Sequence, residues 1–187
     1  MVCAIDGHSG AGKSTLAAAI AFGQPDVTIV HTDDIAWHHS YFGWADLLID
    51  GILRPSRDQS SVNFRPPAWR EHGREGSVSV PLGTSAVLVE GVGAARREVR
   101  PYLDYAIWVY VPEELGRQRV IARGDDNAAF RHQWMAEENA FFEEDQPWTV
   151  ADLWVDGRQS GGGLAICAMG GHDVARNASD GRPLPRR

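Results

Sequence analysis

The stretch Gly7-His8-Ser9-Gly10-Ala11-Gly12-Lys13-Ser14-Thr15 constrains this chain more than any other feature, because it fits the spacing G-x-x-x-x-G-K-[ST]. Glycines at these intervals let a backbone turn tightly, so that successive N–H groups point into one concavity and grip an anion. The apolar run at residues 2–6 reads as a buried strand before the loop. The alanine- and leucine-rich residues 13–22 read as a helix after it, with its N-terminus aimed at the same anion. Gly7, Ser9, Gly10, Ala11, Gly12, Lys13, Ser14 and Thr15 are therefore the expected contacts of a nucleoside triphosphate. Lys13 would place a compact charge on the β- and γ-phosphates, and the Ser14 hydroxyl would ligate Mg2+. Among 18 Lys+Arg residues, Lys13 is the only lysine. A forked guanidinium does not substitute for an ammonium in a tight cradle, so a chain that otherwise uses arginine keeps lysine at this position.

The rest of the chain alternates short apolar runs with helical patterns. Residues 27–31, 86–89, 105–111 and 151–155 read as further strands, and residues 44–53, 112–123 and 127–144 as helices, with a short helical segment at 94–103. Strands that are apolar throughout and alternate with helices predict an α/β fold of three layers, a mostly parallel five-stranded sheet with helices on both faces. Residues 32–43 are expected to form a functional loop. Residues 54–83 hold four prolines and two alternating runs, 61–64 and 77–80, and predict a flap or small hairpin on the acceptor side of the site. Residues 1–157 form one expected domain, and the Gly-, Ser- and Arg-rich residues 158–187 a flexible tail.

Composition closes off several functions. The net charge of −7 argues against a nucleic-acid partner. Two cysteines, Cys3 and Cys167, exclude a disulfide framework and fit a cytoplasmic location. No apolar run reaches the roughly 18 residues of a membrane span, and the N-terminus lacks a signal-peptide pattern. A single lysine rules out the N-K-x-D guanine-reading motif of GTPases.

The candidate chemistry lies at strand ends, which in a parallel sheet share one edge with the phosphate loop. Asp33 and Asp34 follow the second strand, and Glu90 ends the third. Asp33 is the expected base for an attacking hydroxyl, with Asp34 on the substrate. Asp33, Glu90 and Ser14 are the expected oxygen donors to magnesium. Arg117, Arg119, Arg123 and Arg131 form a candidate lid over residues 112–131, and Arg119 and Arg123 share a helix face. Arg119 and Arg123 are expected to hold developing phosphoryl charge. Tyr41, Arg65 and Trp69, with Trp37, suit a planar or phosphorylated acceptor. His38 and His39 read as surface or acceptor-side residues rather than metal ligands, and the acidic, aromatic residues 134–148 as a helix packed on the sheet.

With these residues in hand, the chain resembles the uridine kinase-like branch of P-loop kinases. The loop at residues 5–15, Thr32-Asp33-Asp34-Ile35, Val89-Glu90-Gly91 and the arginines of residues 117–131 match that group's motifs in order. The resemblance implies a P-loop NTPase fold, ATP and Mg2+ as nucleotide and metal, Asp33 as catalytic base, and transfer of the γ-phosphate to the hydroxyl of a small acceptor. It implies no nucleic-acid or membrane partner and allows a homo-oligomer. The chain departs from the group at Ile35 and Ala36, where an aromatic residue usually stands, and its residues 54–83 show no nucleoside-binding stretch. A kinase for a sugar acid or a nucleoside monophosphate, with Arg65 and Arg70 on the acceptor phosphate, and an ATP-binding regulatory protein without transfer are the alternative readings.

Overall fold

The computed structural model describes residues 1–124, 128–158 and 165–167. Eight strands are present among them: β1 (Val2–Asp6), β2 (Val27–His31), β3 (Val62–Phe64), β4 (Val78–Val80), β5 (Ala86–Glu90), β6 (Tyr105–Tyr110), β7 (Leu153–Asp156) and β8 (Ala165–Cys167). The main sheet runs β2-β5-β1-β6-β7-β8. Its first five strands are parallel, in the register Ile29↔Leu88, Ala4↔Val89, Ile5↔Ile107 and Val109↔Val155. This is the expected five-stranded parallel sheet, and β8 adds a short antiparallel edge with Trp154 opposite Cys167.

β1 is central. The chain leaves it toward β2 and β5 on one side, then crosses to β6 and β7 on the other. Such a reversal opens a crevice at the carboxyl ends of the strands, and there lie Asp6, His31, Glu90 and Asp156. The helices are α1 (Lys13–Ala21), α2 (Thr32–Ala36), α3 (Ala45–Leu48), α4 (Arg54–Arg57), α5 (Pro67–Glu71), α6 (Glu113–Ala122) and α7 (Ala128–Asp145). A π-helical turn at Ile49–Leu53 joins α3 to α4.

Side chains alternate across the pleat, so each strand feeds two cores. Val2, Ala4, Val87 and Val89 meet Trp44, Leu48, Ile52 and Trp69 on one face. Cys3, Ile5, Leu88, Ile107 and Val109 meet Leu16 and Ala17 of α1 on the other. Trp108, Trp154 and Phe142 dock α7. Each fully buried Leu- or Val-sized side chain contributes about 1.5–3 kcal/mol relative to exposure, and these clusters cover both sheet faces as expected.

Four local expectations change. Residues 32–43 open with a helix, α2, because Asp33 and Asp34 sit in its first turn and complement its dipole. Residues 94–103 form successive turns with a single 3-10 turn at Arg100–Tyr102; the Arg97 N–H, which a helical ladder would bond four residues back, goes to the Asp145 carboxylate of α7 instead. The runs at 61–64 and 77–80 do pair, as the antiparallel β3–β4 hairpin, but α4 continues the π-helical turn into this region and Pro67 opens the short helix α5 there. Within the expected tail, residues 165–167 form the strand β8, and the remaining tail beyond residue 158 lies outside the described residues. No helix among the described residues is long and apolar enough to cross a membrane.

Candidate nucleotide and acceptor site

The phosphate loop leaves β1 at Asp6, which is 0% exposed. Its carboxylate accepts the N–H of Gly7 at 2.7 Å, of Gly93 at 3.0 Å and of Ala95 at 2.9 Å. One side chain thus ties the start of the loop to the turn after β5. Burial pushes this carboxyl up to about 6, against the three amides and Lys13, which favour its charged form. Lys13 is buried, and its ammonium donates to the carbonyls of Gly7 at 2.8 Å and His8 at 3.0 Å. Burial holds it below the usual lysine range, while Asp6, Glu138, Glu90 and Asp33 pull it back up.

The loop is gripped from behind. A Cβ on Gly10 would stand 2.3 Å from the carbonyl oxygen of Gly116 on α6, so the two backbones touch. Arg119 of α6 donates to the carbonyls of Gly10 at 3.2 Å, Gly157 at 2.7 Å and Arg158 at 3.2 Å. A Cβ on Gly157 would meet the Ala11 carbonyl at 2.2 Å, which brings the turn after β7 against the loop as well. Arg119, expected on the transferring phosphoryl group, instead clamps backbone. Its five donors suit several carbonyls at once.

Three oxygen-bearing side chains open toward the front of the loop. Ser14 Oγ donates to Glu90 Oε2 at 3.2 Å, and His31 Nδ1 is hydrogen-bonded to Glu90 Oε1. Burial works against the charge of Glu90, but the bonds from His31 and Ser14 and the charges of His31 and Lys13 outweigh it and hold the carboxyl below its ordinary range. The same bond to Glu90 raises His31. Asp33 is exposed to the cleft, yet the cleft walls surround it, and this desolvation, with Glu90 and Asp34 nearby, raises its carboxyl despite Lys13 and His31. Ser14, Glu90 and Asp33 are an all-oxygen donor set, which fits a hard divalent cation. No cluster of three or more His, Cys, Asp and Glu stands ready as a metal site among the described residues. Magnesium in a phosphoryl-transfer site needs only one or two protein oxygens, with phosphate and water completing its shell.

A cavity of about 610 Å3 extends from this floor. Lys13, Ser14, Asp33 and Glu90 line its base, Trp37, Tyr41, Phe130 and Trp134 its walls, and Arg123 and Arg131 its rim. Asp33, Tyr41 and Arg123 thus stand together where the sequence reading puts the reaction. Asp34, Arg65 and Trp69 do not line it. Asp34 pairs with Arg74 at 2.5 Å, and its carbonyl accepts Trp69 Nε1 at 2.8 Å. Trp69 is buried in the core under the hairpin, with the Arg74 guanidinium stacked 3.6 Å from its ring centroid. Arg65 donates to the Arg74 carbonyl at 2.6 Å. Arg117 pairs with Glu114 on the surface of α6. The sequence reading missed Phe130 and Trp134 as cavity walls; their four-residue spacing on one helix face was the available signal.

No protein-family model and no curated protein matches the chain. Among solved structures it is similar to a possible uridine kinase from Bacillus stearothermophilus, at 22% identity and a TM-score of 0.55, over 82% of this chain and 87% of that one. It is also similar to a candidate fructose transport system kinase from Silicibacter sp. TM1040, at 19% identity and a TM-score of 0.50, over 79% and 81% of the two chains. At these identities the likeness is one of fold, an α/β architecture with a parallel sheet and helices around it.

Proposed function

We propose that the chain is an ATP-dependent small-molecule kinase that transfers a γ-phosphate to an acceptor hydroxyl. The observation that carries this reading is one carboxylate, Asp33, opening into the same cavity as Lys13, Ser14 and Glu90. The hydroxyl oxygen attacks phosphorus, the bond to the β,γ-bridging oxygen breaks, ADP leaves with that electron pair, and Asp33 takes the hydroxyl proton. Its raised carboxyl makes it a better proton acceptor than an ordinary aspartate. Lys13 leaves the carbonyls of Gly7 and His8 for phosphate oxygens, and Arg123 and Arg131 at the rim offset charge on the transferring group. A bound Mg2+ would neutralise phosphate charge, and Ser14 and Glu90, with Asp33, are the residues that would hold it.

The walls favour an acceptor with a planar or apolar body, since Trp37, Tyr41, Phe130 and Trp134 offer ring faces. The support expected for a phosphorylated acceptor from Arg65 and Arg70 is missing, because neither lines the cavity and Arg65 donates to the Arg74 carbonyl. The test is ADP release from Mg-ATP with a panel of nucleosides, sugars, sugar acids and nucleoside monophosphates. One class of unphosphorylated hydroxyl compound is expected to stimulate release. Asp33→Asn is expected to lower that stimulated rate by about 10²–10⁴-fold while changing Mg-ATP affinity only a few-fold. Stimulation by none of the panel would overturn the proposal and favour a regulatory ATP-binding protein.

A further inference from the structure

α7 reaches the phosphate loop beside α6, and residues of both helices line one small cavity with His8 and Ser9. Trp134 Nε1 donates to Ser9 Oγ at 2.9 Å, and Glu138 Oε1 accepts the Ser9 N–H at 2.7 Å. Both polar groups of the Ser9 tip, side chain and amide, are therefore engaged by one helix, from residues four apart and so on one face. The second oxygen of Glu138 lies 3.9 Å from His8 Nδ1, and the His8 ring stands edge-on to Phe142, one turn further along, at 4.4 Å. Glu138 is 4% exposed.

A buried carboxylate is costly unless its partners repay it. This one also faces a loop built to receive a polyanion, where its charge opposes binding. What it supplies is an acceptor oxygen for a main-chain N–H that would otherwise leave the loop tip free to move. Trp134 adds a second tether and at the same time presents its ring to the cavity wall beside Tyr41, 5.5 Å away between centroids.

We propose that Glu138 and Trp134 are positioning residues that hold the tip of the phosphate loop, through Ser9, in the shape that binds nucleotide. This rests on the nucleotide-binding reading of residues 7–15. Binding to a loop already in shape avoids the ordering cost that a mobile loop adds. The role belongs to the acceptor oxygen of Glu138 and not to its charge, and this separates positioning from electrostatics. Glu138→Gln keeps an oxygen for Ser9 and removes the charge; Glu138→Ala removes both. Trp134→Phe keeps a ring in the wall and removes the N–H.

Two measurements test this on folded full-length protein. Amide hydrogen exchange reads the Ser9 N–H without nucleotide, and calorimetry reads Mg-ATP affinity. Ser9 is expected to be protected in the parent and in Glu138→Gln, and to exchange faster in Glu138→Ala. Mg-ATP affinity is expected to fall about three- to tenfold in Glu138→Ala and in Trp134→Phe, the range for losing one hydrogen bond. It is expected to hold or improve in Glu138→Gln. Unchanged exchange and affinity in Glu138→Ala would overturn the proposal while leaving nucleotide binding intact. So would equal losses in Glu138→Ala and Glu138→Gln. A Ser9 amide that exchanges freely in the parent would overturn it independently of ATP. Failure of the parent to bind Mg-ATP while Ser9 stays protected would instead contradict the nucleotide-binding reading, and with it the stated purpose of the tether.

Discussion

Asp6 and Asp33 both end a strand or follow one at the same sheet edge, and their surroundings give them different tasks. Asp33 opens to the cleft and can meet a substrate proton. Asp6 is sealed, accepts three backbone N–H groups, and does not line the cavity. Its carboxyl, raised to about 6 from 3.8, makes a specific pH signature. Between these values the folded state binds a proton that the unfolded state has released, so stability from this group falls as pH rises from about 4 to about 6 and is level above. The span is roughly 3 kcal/mol at 1.36 kcal/mol per unit. Urea unfolding of the parent and of Asp6→Asn across pH 4–7 should show this decline in the parent only; parallel profiles would contradict it. At this scale Lys13, Ser14, Asp33 and Glu90 were legible, because motif spacing and strand ends place them without knowledge of packing. Trp69 and Arg65 were not, because an aromatic residue in a polar hairpin is drawn to the core, and the turn of the hairpin decides which side of the cavity it serves. Glu138 was illegible for a different reason: it stands 129 residues from Ser9, and only the packing of α7 joins them.

The helices around the loop act as its supports. α6 approaches so closely that Gly116 cannot carry a side chain without cost: a Cβ there would lie 2.9 Å from the Ser9 carbonyl oxygen and 3.3 Å from Val111 Cγ1. Gly116→Ala is expected to lower unfolding stability by on the order of 1–3 kcal/mol, the usual cost of overpacking, and to weaken Mg-ATP binding because the same contact shapes the loop. Chemical denaturation and calorimetry check the two effects, and parent-like values in both would show that α6 yields without disturbing the loop. The apolar runs that became β1, β5, β6 and β7 announced themselves, since burial on both faces needs apolar sequence, and the half-buried edge strand β2 was marked by its β-branched run. The stretch 94–103 did not, since its local helical pattern loses to a long-range bond, the Arg97 N–H to Asp145 of α7. The short helix α5 of the flap region was likewise hidden behind Pro66 and Pro67, since proline starts helices as readily as it ends them.

Across the whole molecule, the order β2-β5-β1-β6-β7 gathers residues from distant parts of the chain at one edge of one sheet. The phosphate loop comes from β1, the proposed base Asp33 from the segment after β2, Glu90 from β5, the clamp Arg119 from α6, and the cavity wall and proposed loop tether from α7. The fold class followed from alternation alone. The identity of the wall residues did not, because it depends on how α7 crosses the cleft. The proposed function depends on the loop gripping a polyphosphate, and one titration tests that directly. Calorimetry of Mg-ATP into the parent and into Lys13→Ala should show saturable heat for the parent and at least about tenfold weaker binding for the variant, consistent with losing one charge-assisted contact of roughly 1.5–3 kcal/mol. No heat with the parent, or equal affinity in the two proteins, would contradict the account.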